Sequence, residues 1–273
     1  MRTKSLVQSV GLVLLGLVAS GPAVSQERVA FKARDGAELT GFLFLPDKPG
    51  PRTAVVMMHG CGGVRDDKGR MRTRDREWAE RFRDAGHVVL APDSFGSRGS
   101  GSVCTSRDNP ITPRLRAGDA AAAGEWLAAR KDVDRSRMAL IGWSHGGSTV
   151  LHAAWHSKPE GFDWRRIAAF YPGCRGFAAA GWTPRRPLAV LHGTADDWTP
   201  IEPCRDLMRG HSVTMIEYPG AHHGFDTPDS PLRRMPAAHS KDGSGIVTFG
   251  TDESARAKAI DQVMLMLAGM RKS

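Results

Sequence analysis

Short, uninterrupted apolar runs alternate along this chain with longer stretches whose apolar residues recur at helical spacing. The runs lie at residues 53–58, 87–91, 138–141, 166–171 and 187–191, and residues 212–218 read as a further strand with Thr214 and Glu217 among its apolar residues. An apolar run without polar alternation is the mark of a strand buried on both faces, as in a parallel sheet. Between these runs, residues 74–85 carry Trp78, Phe82 and Ala85 at helical spacing and stop at Gly86. Residues 115–130 read as a second helix with Trp126 and Leu127 facing inward, and residues 148–155 and 204–209 as two more. A last helix spans residues 251–270, with Thr251 or Asp252 as its cap. Ahead of all this, two β-rich segments, 28–34 and 38–45, flank Asp35-Gly36, a strong hairpin signal. Residues 94–113, rich in Gly, Ser and Pro, predict a long loop, and residues 226–250 an irregular segment. The pattern predicts an α/β domain: a mostly parallel sheet, helices on both faces, and an N-terminal antiparallel hairpin. Neither internal repeats nor a linker divides it.

The first 25 residues stand apart from that pattern. Met1-Arg-Thr-Lys4 is basic, residues 5–19 are mostly apolar, and Ala23-Val24-Ser25 places small residues where a signal peptidase cleaves. The apolar run is interrupted by Gln8 and Ser9 and falls short of the roughly 20 residues that a spanning helix needs. We expect a signal peptide over residues 1–25 and a single domain over 26–273, exported to the periplasm or beyond and not anchored in the membrane. The formal charge is +9, with Arg2 and Lys4 in the leader and much of the remaining excess among alternating arginines and acids at 65–83. That alternation fits a solvated helix face better than an anion-binding surface. No aromatic-interleaved basic platform accompanies it, so nucleic acid is not an expected partner.

Export makes disulfides permissible, and the chain has four cysteines: Cys61, Cys104, Cys174 and Cys204. Their spacing does not suggest zinc, and the even count allows three full pairings. Cys174 and Cys204 each follow adjacent predicted strands, which favours their pairing. Cys61 and Cys104 form either a second pair or two free thiols.

Candidate chemistry centres on Gly142-Trp143-Ser144-His145-Gly146, which follows an apolar strand and opens a helix. Gly-x-Ser-x-Gly in that setting is a nucleophile elbow, a strained strand-to-helix turn that lifts one hydroxyl above a parallel sheet. Acyl transfer by such a serine needs a histidine base, a carboxylate to orient it, and amide donors for the oxyanion. In chain order, Asp196 or Asp197 follows a later strand and His222 or His223 follows the last one. The backbone amides of His145, next to the nucleophile, and Cys61, in the loop after an early strand, are the candidate oxyanion donors. His152 and His156 stand four apart on one helix, a spacing that can hold a metal, but no third ligand is evident, and no metal site is expected.

Five segments together carry a resemblance: His59-Gly-Cys-Gly-Gly63, Asp93-Ser-Phe-Gly-Ser-Arg-Gly99, Gly142-Trp-Ser-His-Gly-Gly147, His192-Gly-Thr-Ala-Asp-Asp-Trp-Thr-Pro200 and Tyr218-Pro-Gly-Ala-His-His-Gly-Phe225. The chain resembles the dienelactone hydrolase family of α/β-hydrolases. The resemblance implies the α/β-hydrolase fold, selects Asp196 through Gly-x-x-Asp-x-x-x-Pro, and selects His223 through His-Gly-Phe. The family's name-giving enzymes carry cysteine where Ser144 stands, which directs the expectation away from dienelactones and toward a carboxylic ester or lactone in general. Arg98 is a candidate for holding a substrate carboxylate with its planar fork, or else braces its loop. Trp143 and Trp198 either line an apolar acyl pocket or fill core. The expected function is a cofactor-independent serine esterase acting on a small-molecule ester or lactone. The alternatives are a peptidase of the same fold, which usually brings a gating domain, and a binding protein that has lost catalysis.

Overall fold

The computed structural model describes residues 26–271 apart from 48–49 and 157–158; the expected signal peptide lies outside the described residues. An eight-stranded sheet has the order β1-β2-β4-β3-β5-β6-β7-β8. Its strands are β1 (Gln26–Lys32), β2 (Glu38–Phe44), β3 (Arg52–Met58), β4 (Val88–Pro92), β5 (Val133–Trp143), β6 (Trp164–Phe170), β7 (Leu188–Gly193) and β8 (Val213–Tyr218). The β1–β2 hairpin and the β2–β4 pair are antiparallel; every pair from β4 to β8 is parallel. The expected α/β-hydrolase architecture with its N-terminal hairpin is the one present.

Alternating residues of the central strands feed two separate cores, which explains why those strands read as continuous apolar runs. Ala54, Val56, Met58, Met138 and Leu140 face one side. Val55, Met57, Ala139, Ile141 and Trp143 face the other. The first core is closed by α2 (Pro113–Ala128), α3 (His145–His156) and α4 (Glu202–Met208), and the second by α1 (Thr73–Asp84) and α5 (Glu253–Ala268). Small residues let α2 sit close to its neighbours: a Cβ at Gly124 would come within 2.3 Å of the Phe162 ring. Thr112 caps α2, accepting from the Leu115 amide at 3.2 Å ahead of Pro113. Of the two cap candidates for α5, Asp252 serves, accepting from the Ala255 amide at 2.9 Å.

Two expectations need correction. The segment expected to be irregular, 226–250, contains a two-stranded antiparallel sheet of β9 (Arg233–Pro236) and β10 (Ile246–Phe249). β9 carries two arginines and a proline, and β10, Ile246-Val-Thr-Phe249, is too short for a period to show; tertiary bonds hold both. Asp197 accepts from both the amide and the hydroxyl of Thr248, each at 2.8 Å. The helix after the elbow begins at His145 rather than at 148. The long loop before α2 contains one 3₁₀ turn, Gly96–Arg98. The favoured pairing Cys174–Cys204 is formed, and of the two options left for Cys61 and Cys104 the second disulfide is the one present.

Candidate active site

The carboxyl ends of β3, β5, β7 and β8 bring four loops to one edge of the sheet. The turn after β5 is tight because side chains are missing where strand and helix meet. A Cβ on Gly142 would stand 2.3 Å from the Gly146 carbonyl oxygen, and one on Gly146 would stand 2.0 Å from that of Met58. Ser144 itself takes φ 55°, the left-handed region that L-residues with side chains disfavour. Its amide bonds to the Phe170 carbonyl at 2.9 Å, and its carbonyl accepts from Ser148 at 2.8 Å, so the strained turn is held from both sides.

His223, after β8, donates from Nδ1 to Oδ2 of Asp196, after β7, at 2.8 Å. A carboxylate can only accept, so Nδ1 carries the proton and Nε2 keeps its lone pair. Oδ1 of Asp196 accepts from the amides of Trp198 and Thr199 at 2.9 and 2.8 Å, and the Thr199 hydroxyl lies 3.0 Å from Oδ2. Burial opposes ionisation of Asp196, but His223 and these donors prevail and hold its carboxyl below the usual range. Asp197, one residue on, is taken up by Thr248, which separates the roles of the two acids. Ser144 and His223 line one cavity of about 550 Å³ together with Gly60, Cys61 and Trp198.

His145 opens α3, where the first-turn amides have no partner within the helix. Its ring is fixed by Arg116, which donates to Nδ1 at 2.7 Å and to the His59 carbonyl at 2.8 Å. Arg116 is wholly buried, and burial lowers it to about 9. Burial and the charge of Arg116 pull His145 down to about 3, so its imidazole is neutral at physiological pH. One buried cation thus braces both segments that supply the candidate oxyanion amides. Gly60 lies against Ser144; a Cβ there would sit 3.6 Å from Cβ of Ser144.

Beneath His223 lies a buried polar network around Asp226. It accepts from the indoles of Trp78 and Trp143 at 2.8 and 2.7 Å and from the Tyr171 hydroxyl at 2.5 Å. Burial and Asp226 push the Tyr171 phenol well above its ordinary value, keeping it a donor. Arg74 donates to the Tyr171 oxygen at 3.3 Å and pairs with Asp75 at 2.6 Å. The Tyr171 ring lies 4.5 Å from that of His223, and Trp198 lies 4.6 Å from it on another side.

Of the residues read from the sequence, Ser144, Asp196, His223, His145 and Cys61 converge here, and Trp198 lines the cavity. Two candidates for substrate contact sit elsewhere. Arg98 is held by both oxygens of Asp119, at 2.7 and 2.9 Å, and by Asp35 at 2.8 Å, so it braces its loop. Trp143 is fully buried and stacks on Phe170, so it fills core. His152 and His156 face each other with ring centroids 6.4 Å apart on the far side of α3, and among the described residues no group of three or more His, Cys, Asp or Glu is placed to hold a metal. The sequence reading missed Arg116, Asp226 and the cavity wall built by Met235, Pro236 and Phe249. Arg116 left a signal: it falls on the stripe Arg116, Ala120, Ala123, Leu127, the face that α2 buries.

Comparison with known proteins agrees with this architecture. The chain matches the model of the dienelactone hydrolase family over residues 39–270. An uncharacterized protein of Mycobacterium tuberculosis is 28% identical over 195 residues, which are 63% of this chain and 62% of that protein, so the match spans less than two thirds of the relative. A dienelactone hydrolase-like promiscuous phosphotriesterase from metagenomic libraries superposes with TM-score 0.66 at 22% identity, covering 91% of this chain and 99% of that one. Thermogutta terrifontis esterase 2, solved with propionate bound, superposes with TM-score 0.60 at 20% identity, covering 90% and 94%.

Proposed function

This chain belongs to the dienelactone hydrolase family, and from that premise we propose that it is a serine esterase, cleaving a carboxylic ester or lactone through an acyl-enzyme. The observation that carries the proposal is the His223–Asp196 pair at 2.8 Å, set in the cavity that also holds Ser144 at its strained turn. In this reading Nε2 of His223 takes the Ser144 proton as Oγ adds to the ester carbonyl. The amides of Cys61 and His145 hold the resulting oxyanion. The imidazolium, stabilised by Asp196, returns its proton to the leaving alcohol as the C–O bond breaks. Water then adds to the acyl-serine with His223 again as base, releasing the acid and restoring Ser144. Each step is a proton transfer or an acyl transfer, so no redox partner enters.

Trp198, Met235, Pro236 and Phe249 give the cavity an apolar wall suited to an acyl chain. The propionate seen in the Thermogutta esterase is consistent with short acyl groups as first substrates to try. The test is turnover of p-nitrophenyl acetate and butyrate by the wild type and by Ser144→Ala. We expect hydrolysis by the former and a loss of about 10⁴-fold or more in kcat in the latter. Equal rates in the two proteins would refute the assignment of the nucleophile. The two disulfides accord with an oxidising compartment, and no helix of the described residues is long and apolar enough to cross a membrane. We therefore retain export as part of the proposal.

A further inference from the structure

The two disulfides occupy different kinds of place. Cys174 and Cys204 are 3% and 0% exposed and lie inside the first core. Cys61 and Cys104 both line the catalytic cavity and are partly exposed within it. We propose that Cys61–Cys104 is a positioning disulfide of the active site, and that its reduction slows acyl transfer while the domain stays folded. The proposal rests on the reading above, in which the Cys61 amide is an oxyanion donor.

The loop that carries this amide has little else to fix it. In His59-Gly-Cys-Gly-Gly63, three of five residues are glycine, and Gly63 takes φ 80°. Glycines permit the close approach to Ser144, but they leave the backbone with the widest conformational freedom of any residue type. Apart from His59, the cysteine is the one position here with a side chain to tether. What binds the loop to the rest of the fold besides is a short set of hydrogen bonds, Val103 to the Cys61 carbonyl at 2.9 Å, Arg72 to Gly62 at 3.1 Å and Arg116 to His59 at 2.8 Å; within the loop, the Gly60 carbonyl accepts from the Gly63 amide at 3.2 Å and lies 2.8 Å from His59 Nδ1.

The partner segment is also weakly supported. Residues 99–112 contain no helix or strand, and a small cluster of Phe95, Val103 and Ile111 is their core. Past the disulfide, the Cys104 carbonyl accepts from the Ala238 amide at 2.9 Å, on the segment that carries the β9–β10 hairpin. That hairpin returns to the site where Phe249 bridges His223. The covalent link therefore joins the oxyanion loop to the cavity wall and, through it, to the neighbourhood of the base. An oxyanion donor acts only within about 2.7–3.1 Å of the forming charge, so a small displacement of Cys61 is enough to weaken it.

Reduction by a dithiol is balanced within the pair. Two electrons and two protons pass to Cys61 and Cys104, the S–S bond becomes two thiols, and the dithiol closes to its own disulfide. Cys61 and Cys104, partly exposed where they line the cavity, are the pair such a reagent reaches first; the buried pair is shielded.

The experiment compares oxidised wild type, wild type after brief dithiol treatment, Cys104→Ser, and Cys174→Ala/Cys204→Ala, each assayed on p-nitrophenyl acetate. Alkylation with mass mapping identifies which cysteines are free, and circular dichroism reports folding. Cys104→Ser leaves Cys61 in place and so isolates the tether. We expect kcat to fall by about ten-fold or more in Cys104→Ser and in wild type reduced at Cys61 and Cys104, with KM little changed; the reduced wild type recovers fully on reoxidation, and Cys104→Ser does not. The core pair variant should lose thermal stability and keep its kcat. Should Cys104→Ser not fold, the dithiol-treated wild type decides alone, since its core disulfide is checked to be intact. Unchanged kcat in protein reduced at Cys61 and Cys104 overturns the proposal. Absence of turnover in the oxidised wild type overturns the esterase reading itself, and this proposal with it.

Discussion

Asp196 and Asp197 are adjacent acids with separate duties, and the difference is one of partners. Asp196 meets His223, while Asp197 ties Thr248 of the hairpin to the loop after β7. Replacing Asp196 by Asn leaves a group that can no longer hold Nδ1–H as a charged acceptor; we expect kcat to fall by about 10³–10⁴-fold. Asp197→Asn should act mainly on KM, through the cavity wall, and steady-state kinetics of the pair will separate the two. His145 makes a second prediction, on stability. Its folded value is drawn down to about 3, whereas an unfolded histidine titrates near 6.5. Below pH 6.5 the unfolded chain therefore binds a proton that the folded one refuses, and stability falls as pH drops from about 6.5 toward 3. This one group contributes a slope of up to about 1.4 kcal/mol per pH unit. His145→Gln keeps an acceptor for Arg116 but does not titrate, so denaturant unfolding across that range should show a shallower fall.

The elbow works as an element because backbone fits against backbone. With the Met58 carbonyl 2.0 Å from where a Cβ on Gly146 would stand, Gly146→Ala must push α3 off β3. We expect a loss of roughly 3 kcal/mol or more, or no soluble protein, measured by chemical denaturation. This element was legible in the sequence because a strand run, two glycines and a helix occur in fixed order. The hairpin at 233–249 was not, since four-residue strands held by Asp197 and Cys104 leave no periodic trace. Arg116 was hidden for a related reason. A charge on a buried helix face looks like an error until its two acceptors, both distant in sequence, are known.

Across the molecule, the central parallel strands could be read because their inner stretches, such as 54–58 and 138–141, are buried on both faces and apolar at every position. The triad candidates could be read because each follows a strand at the same sheet edge. Trp143 was a candidate because it flanks Ser144 and Arg98 because of its planar fork, and neither chemistry nor nearness in sequence fixes a direction: Arg98 turns to Asp119, and Trp143 into the core. Global stability draws on the second disulfide. Cys174–Cys204 closes a segment of 30 residues, for which chain entropy gives roughly 3.6 kcal/mol. In a domain of this size that corresponds to a fall in Tm of roughly 7–14 °C for Cys174→Ala/Cys204→Ala, to be followed by calorimetry. The cavity left by two buried sulfurs acts in the same direction.

The most direct test of the account is labelling of the folded protein with a fluorophosphonate, followed by mass mapping of the modified residue. The account predicts a single stoichiometric adduct on Ser144, absent from Ser144→Ala and slowed in Asp196→Asn. A folded protein that takes up no label, or takes it up equally without Ser144, would contradict it.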